Sequence, residues 1–199
     1  MKFEDSGLPP KPAFQQAFAI GLSVYGQMMQ GDMDKANAAY KATVLNVVDT
    51  LKNNCPDASD ALMTVALLGP LGTQVVTQRE NDFRQVFGND VVDLAVEVLN
   101  DKGATPEAMQ QSSLDKNRLF MASMVAHMDT LIIPGMKQNM LDKNSVSAFT
   151  NVVKNVYQGA KGSTPALDTL FEDRLKQVED LLNKPSPNIK PPSPKGPKF

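Results

Sequence analysis

His127 and Cys55 are the only histidine and the only cysteine in the 199-residue chain. Transition-metal centres draw on several imidazole and thiolate ligands, helped by carboxylates. A multi-histidine metal centre is therefore out of reach for one chain, and no dense Asp/Asn/Gly calcium loop is present. Asp90, Asp93, Glu97 and Asp101, in "NDVVDLAVEVLND", offer paired carboxylates for acid–base work. They fall opposite Val91, Leu94 and Val98 on a helical period, which reads as a solvated face. His127, in the apolar stretch "MVAHMD", reads as a packed residue, and no motif supports a Ser–His–Asp arrangement around it. Serine nucleophile elbows, glycine-rich phosphate loops and Cys–His pairs do not occur. The methionines Met28, Met29, Met121, Met124, Met128 and Met136 read as core filling before they read as a plastic binding surface. A different anomaly lies in "ALMTVALLGPLGTQVV", where Gly69 and Pro70 stand side by side in a helical apolar run. Proline inside a helix costs ~3 kcal/mol and glycine up to ~1 kcal/mol, so the pair needs a reason.

The elements that would position these residues are helical. Phe14, Phe18, Leu22 and Tyr25 line one stripe; Tyr40, Val44, Val47 and Leu51 another; Val91, Leu94 and Val98 a third. Asn117 to Leu141 is apolar over many turns, with a break expected at Pro134-Gly135. Val146, Phe149, Val153 and Val156 make the next stripe, and Leu167, Leu170, Phe171, Leu175, Val178 and Leu182 the last. Breaks are expected at "QGDMD", "NNCPDASD", "GPLG", "FGND", "DKGATPEA" and "KGSTP", rich in turn formers and helix N-caps. The one strand candidate, "TQVV", is short. The expected fold is all-α, a bundle of roughly seven to nine helices over residues 13–183. Residues 1–12 are expected as an extended N-terminal arm. Residues 184–199, with six prolines and four lysines, are expected as a disordered Pro/Lys-rich tail, either a solubilising end or a ligand for a proline reader.

Composition bounds the partners. A net charge of -2, without a clustered basic face, argues against nucleic acid. No apolar run approaches the ~18 residues of a membrane helix, so no membrane span is expected. The N-terminus is too polar for a signal peptide, and a lone cysteine suits a reducing compartment, so a cytoplasmic location is expected.

Read in order, five blocks resemble the hydrolase domain of RelA/SpoT-like enzymes, members of the HD superfamily. "VYGQMM" is similar to A-H-x-G-Q-x-R through Gly26 and Gln27, and "YKATVLNVV" to Y-I-x-H-P-x-x-V-A through Tyr40 and Val47. "TVALLGPLGTQV" is similar to A-A-L-L-H-D-x-x-E-D-T through Ala66, Leu67 and Leu68. "FRQVFGNDVVDLAVEVLND" follows F-G-x-x-V-x-x-L-V-x-x-V-T at Phe87, Gly88, Val91, Leu94 and Val98. "LDKNRLFMASMVAHMDTL" resembles the helix of K-x-x-R-x-x-x-M-x-x-A-x-x-D without its signature. The resemblance spans Phe14 to Leu131.

This resemblance implies an HD-like bundle in which a divalent metal, usually manganese, would sit between helices. The metal-binding histidine of H-P falls on Thr43, the H-D pair on Gly69 and Pro70, and the late aspartate on Ser123. The water-activating E-D pair falls on Thr73 and Gln74, and the phosphate-binding arginine on Met29. None of these side chains suits the inherited role; His127, one turn beyond Ser123, is a single imidazole. Gly69-Pro70 then reads as a replaced H-D dipeptide. The implied protein is a pseudoenzyme without metal or other cofactor, acting as a regulatory or adaptor protein through protein–protein binding. The alternative is a metal-independent binder of a nucleotide or small molecule in the vestigial cleft; the third reading is an enzyme of unrecognised chemistry. Loss of the arginine at Met29 argues against a polyphosphate ligand, although Arg79, Arg84, Lys116 and Arg118 remain as cations.

Overall fold

Every position from Leu62 to Gly69 is buried, and a helix apolar on all sides belongs at the centre of a bundle. In the computed structural model, which describes residues 1–99 and 105–184, this stretch is the first half of α4 (Asp60–Gln78). The Ser59 hydroxyl starts it by accepting from the Leu62 amide at 3.0 Å. Around it are α1 (Pro12–Met28), α2 (Met33–Tyr40), α3 (Asn46–Asn54), α5 (Glu80–Phe87), α6 (Asn89–Leu99), α7 (Pro106–Gln110) and α8 (Leu114–His127). A second layer holds α9 (Ile133–Lys137), α10 (Lys143–Ala160) and α11 (Pro165–Asn183). The pairs α2–α3 and α8–α9 are each continuous through a π turn, at Lys41–Leu45 and Met128–Ile132, which leaves 9 helices and no strand among the described residues. The strand candidate, residues 73–76, lies wholly inside α4.

The Gly69-Pro70 break is a kink. Gly69 takes φ 64°, ψ 177°, and helical geometry resumes at Pro70, which opens the second segment as its first residue. Pro70 has no N–H for the Ala66 carbonyl, and the neighbouring Leu67 carbonyl accepts from Tyr40 Oη at 2.5 Å. Tyr40 is fully buried, and burial pushes its phenol above the ordinary value. Tyr40→Phe leaves the packing intact but strands that carbonyl beside the kink. It is expected to cost about 1–3 kcal/mol, read as a lower midpoint in denaturant at unchanged slope.

Helix α1 crosses α4 closely enough that a Cβ on Gly21 would meet the Leu67 carbonyl oxygen at 2.7 Å. Phe18 and Tyr25 of α1 both pack edge-on to the Tyr40 ring. The arm 1–12 is not extended throughout, since Phe3–Ser6 form one 3₁₀ turn and Phe3 stands edge-on to Phe18. Helices α10 and α11 form a hairpin in which Tyr157 stacks on Phe171 at 4.3 Å. Arg118, 5% exposed, ties the loop before α4 to α8 and the start of α11 through Asp57 and Thr164.

Two further expectations need correcting. Pro134-Gly135 does not break its helix, because Pro134 sits in the first turn of α9. The wider π turn before it carries the backbone past the proline ring; the chain turns only at Gln138 to Asp142. Second, Asp60–Gln78 and Leu114–Lys137 are long and apolar enough to cross a membrane by length and composition, contrary to the expectation of no such run. Both are core helices here, with 61% and 50% of their apolar windows buried inside the fold. The expected tail beyond Lys184, and the part of "DKGATPEA" at 101–104 including Asp101, lie outside the described residues.

Candidate ligand-binding cleft

Thr43, Gly69, Pro70, Thr73, Ser123 and His127 line one cleft of about 380 Å³. Gln74 does not; it is exposed on the second α4 segment. One wall is α8, which contributes Lys116, Leu119, Phe120, Ser123, Met124 and His127, followed by Thr130 of the π turn. This spacing of three and four residues is one helical face running roughly 20 Å at 1.5 Å per residue. The facing wall comes from Thr43 and Val47 on α3 and its π turn, Val65, Ala66 and Gly69 on α4, Val98 and Leu99 on α6, and Met109 on α7.

Hydrogen bonds fix which residues share an end. Ser59 donates to Asp115 at 2.5 Å and Arg118 holds Asp57, so the loop joining α3 to α4 sits at the start of α8. Glu97 accepts from the amide and hydroxyl of Ser113, both at 2.7 Å, and Asn117 donates to the Met109 carbonyl at 3.1 Å. The start of α8 therefore meets Val98, Leu99 and Met109, which with Leu119 and Phe120 make an apolar end. Helix α3 runs antiparallel to α8, and α4 runs parallel, so Thr43, Gly69 and Thr73 meet the far end of α8 with His127 and Thr130. Oxygen and imidazole groups gather there, with Ser123 between the two ends.

Three departures from α-helical backbone within the long helices of the described residues border this cleft: the two π turns at Thr43 and Thr130, and the kink at Gly69. A Cβ on Gly69 would come within 2.5 Å of Val44 Cγ2, and its positive φ adds strain for any other residue. Each irregularity contributes one residue to the cleft lining, Thr43, Gly69 and Thr130.

The threonine hydroxyls have their protons engaged. Thr43 donates to the Ala39 carbonyl at 2.8 Å, Thr73 to Gly69 at 2.7 Å and Thr130 to Ala126 at 2.7 Å. A carbonyl only accepts, so the 2.7 Å contact between Tyr25 Oη and Thr43 Oγ1 has tyrosine as donor. Ser123 and His127 make no hydrogen bond among the described residues; the imidazole rests on Phe149 at 5.4 Å between centroids. Burial lowers the His127 pKa below its ordinary value. The unfolded state then binds the proton more readily, so stability from neutral His127 is full above the unfolded pKa and falls as pH drops toward the folded one. Melting temperature is expected to decline below about pH 7, where an unperturbed histidine begins to titrate, and His127→Gln should flatten that part of the profile.

The donor set does not fit a metal of the kind the resemblance implies. Thr43, Ser123, a glycine and a proline offer neither imidazole nor carboxylate at the four inherited positions. No group of three or more His, Cys, Asp or Glu is placed to hold a metal ion among the described residues. Of the four cations, Arg79 pairs with Asp82, Arg84 with Glu80 and Asp93, and Arg118 with Asp57; Lys116 alone lines the cleft. Glu97, read from the sequence as part of a solvated face, instead caps α8, while Asp90 and Asp93 are exposed. Met121, Met128 and Met136 are core, whereas Met124 lines the cleft. Met109 and Thr130 escape a motif reading. Thr130 continues the spacing of Phe120, Ser123 and His127, but Met109 reaches the cleft only through tertiary packing. No protein-family model, curated protein or solved structure matches this chain.

Proposed function

We propose that this protein is a non-catalytic small-molecule-binding protein, an HD-like bundle whose cleft holds a ligand where the resembled hydrolases hold a metal. The observation that carries the reading is the cleft itself. Its volume of about 380 Å³ falls within the usual few hundred to ~1,000 Å³ of ligand sites. Its lining is mostly apolar, with a few polar groups at one end. Replacement of every inherited metal position by hydroxyl, glycine or proline supports binding without hydrolysis, since metal-assisted hydrolysis needs an ion to activate water and offset phosphate charge. The lone buried Cys55 supports a reducing, cytoplasmic setting.

The adaptor reading has its own support in α5. That helix buries no residue, although Phe83 and Phe87 stack on one side and Val86 is exposed. A partner protein docking there would read the state of the neighbouring cleft through α4 and α6.

The test uses the purified full chain. An uncharged solvatochromic dye is expected to bind with a blue shift, and guanosine tetraphosphate with manganese is expected to remain intact. Manganese-dependent release of pyrophosphate, abolished by changing Ser123 or His127, would overturn the non-catalytic reading.

A further inference from the structure

We infer that the ligand is an uncharged amphiphile with an apolar body and a hydroxyl or carboxamide head, the head lying among Thr43, Ser123, His127 and Thr130. The inference rests on the ligand-binding reading and adds the chemistry of the ligand. Two observations carry it.

The first is the polarity of the hydrogen bonds on offer. Thr43, Thr73 and Thr130 each donate to a carbonyl of their own helix, so toward the cleft they present lone pairs only, one of those on Thr43 already taken by the Tyr25 hydroxyl. Ser123 and His127 make no hydrogen bond among the described residues and supply both donor and acceptor capacity. An alcohol or primary carboxamide satisfies both kinds of group at once. A carboxylate or phosphate can use only the donors, and sets its charge against the threonine lone pairs.

The second is the distribution of charge and shape. Among the described residues, no lysine or arginine lines the polar end. Asp129, beside Thr130, is held by Arg174 at 2.6 Å, so that guanidinium is already engaged. Lys116 is itself engaged within the protein and lies at the opposite end of the α8 face. Multiply charged heads are bound by fixed cations and bidentate arginines, and this end has neither. Away from the polar end, Leu119, Phe120 and Met109, with Met124 next to Ser123, form an apolar wall with thioethers that adapt to irregular shapes. The groove length of roughly 20 Å along α8 matches an extended chain of about ten carbons with its head group and some room to spare.

The experiment holds the body constant and varies the head. 1-Decanol, decanamide, decanoate and decyl phosphate compete against the bound solvatochromic dye at pH 7.5. Decanol and decanamide are expected to displace the dye, with the two anions weaker by about tenfold or more, the value of one or two hydrogen bonds. Thr43→Val with Thr130→Val is expected to erase most of that preference while dye binding persists. Equal or tighter binding of decanoate or decyl phosphate would overturn the head-group inference and leave the cleft reading standing. Failure of the dye and all four probes to bind, with Ser123→Phe indistinguishable from the wild type, would overturn the cleft reading itself.

Discussion

Gly159→Ala is expected to destabilise the fold by about 3 kcal/mol, the upper range for forcing atoms into a packed contact. Gly159 lies on α10 where that helix crosses α7. A methyl group there would overlap the Pro106 carbonyl oxygen, and would stand 2.7 Å from the Pro106 carbonyl carbon and 2.8 Å from Met109 Cβ. Two of these atoms are backbone, so no rotamer change relieves the clash, and α7 must shift as a unit. For a chain of this size the loss corresponds to a fall of roughly 6–12 °C in melting temperature. Gly162→Ala is the control. Its φ of 88° makes alanine strained, but a Cβ there meets nothing within 4 Å, so only the backbone penalty of about 1 kcal/mol remains. A Gly159→Ala melting curve matching that of Gly162→Ala would show that α7 does not press on α10 as described. Because Met109 forms part of the cleft wall, the same substitution should also weaken ligand uptake.

Ser123→Phe is expected to abolish dye and alcohol binding, by about 100-fold or more, without lowering the melting temperature. Ser123 is half-buried at the middle of the α8 face, between the apolar end and the threonines. A phenyl ring there occupies the volume the ligand's body would use and covers apolar surface of the opposite wall. Burial of apolar area contributes about 25 cal/mol per Å², which offsets the loss of a hydroxyl that has no partner among the described residues. A 100-fold loss corresponds to about 2.7 kcal/mol of binding. Retained binding would place the ligand elsewhere, and a large fall in stability would mean that the cleft is too narrow to admit a ring.

Much of this was legible before the fold was known, because it rests on periodicity. Tyr40, Val44, Val47 and Leu51 are all buried, and so are Phe14, Phe18 and Tyr25. The Gly69-Pro70 pair is a backbone signal that no amphipathic pattern hides, and it marks the kink. Thr43, Gly69, Pro70 and Ser123 were brought together by the resemblance and not by any local feature of their own. The π turns were invisible for a physical reason. "KATVL" and "MDTLI" hold no glycine or proline, and a slip from i+4 to i+5 bonding follows from packing against neighbours, not from propensity. The short α7 was hidden too, since five residues show too little period to read, although Thr105 and Pro106 are a cap and an N1 proline.

Each π turn holds one residue more than the α-turn it replaces, which gives the cleft a dependence on chain length as well as on side chains. Removing a single residue from Lys41–Leu45 would leave α2 and α3 individually competent to form. The turn would then close as an ordinary α-turn, and the phase between the two helices would stay nearly as it is, because the π turn already absorbs its extra residue. Ala36 and Tyr40 on one side, and Val47, Val48 and Leu51 on the other, would keep their shared face, while the bulge that carries Thr43 at the cleft would be lost. Substitution scanning across these five positions leaves the bulge in place; a one-codon deletion does not. Insertions and deletions are usually tolerated in loops and lethal in helices, but here two helices already carry an extra residue, and the shape of the cleft depends on where each one sits.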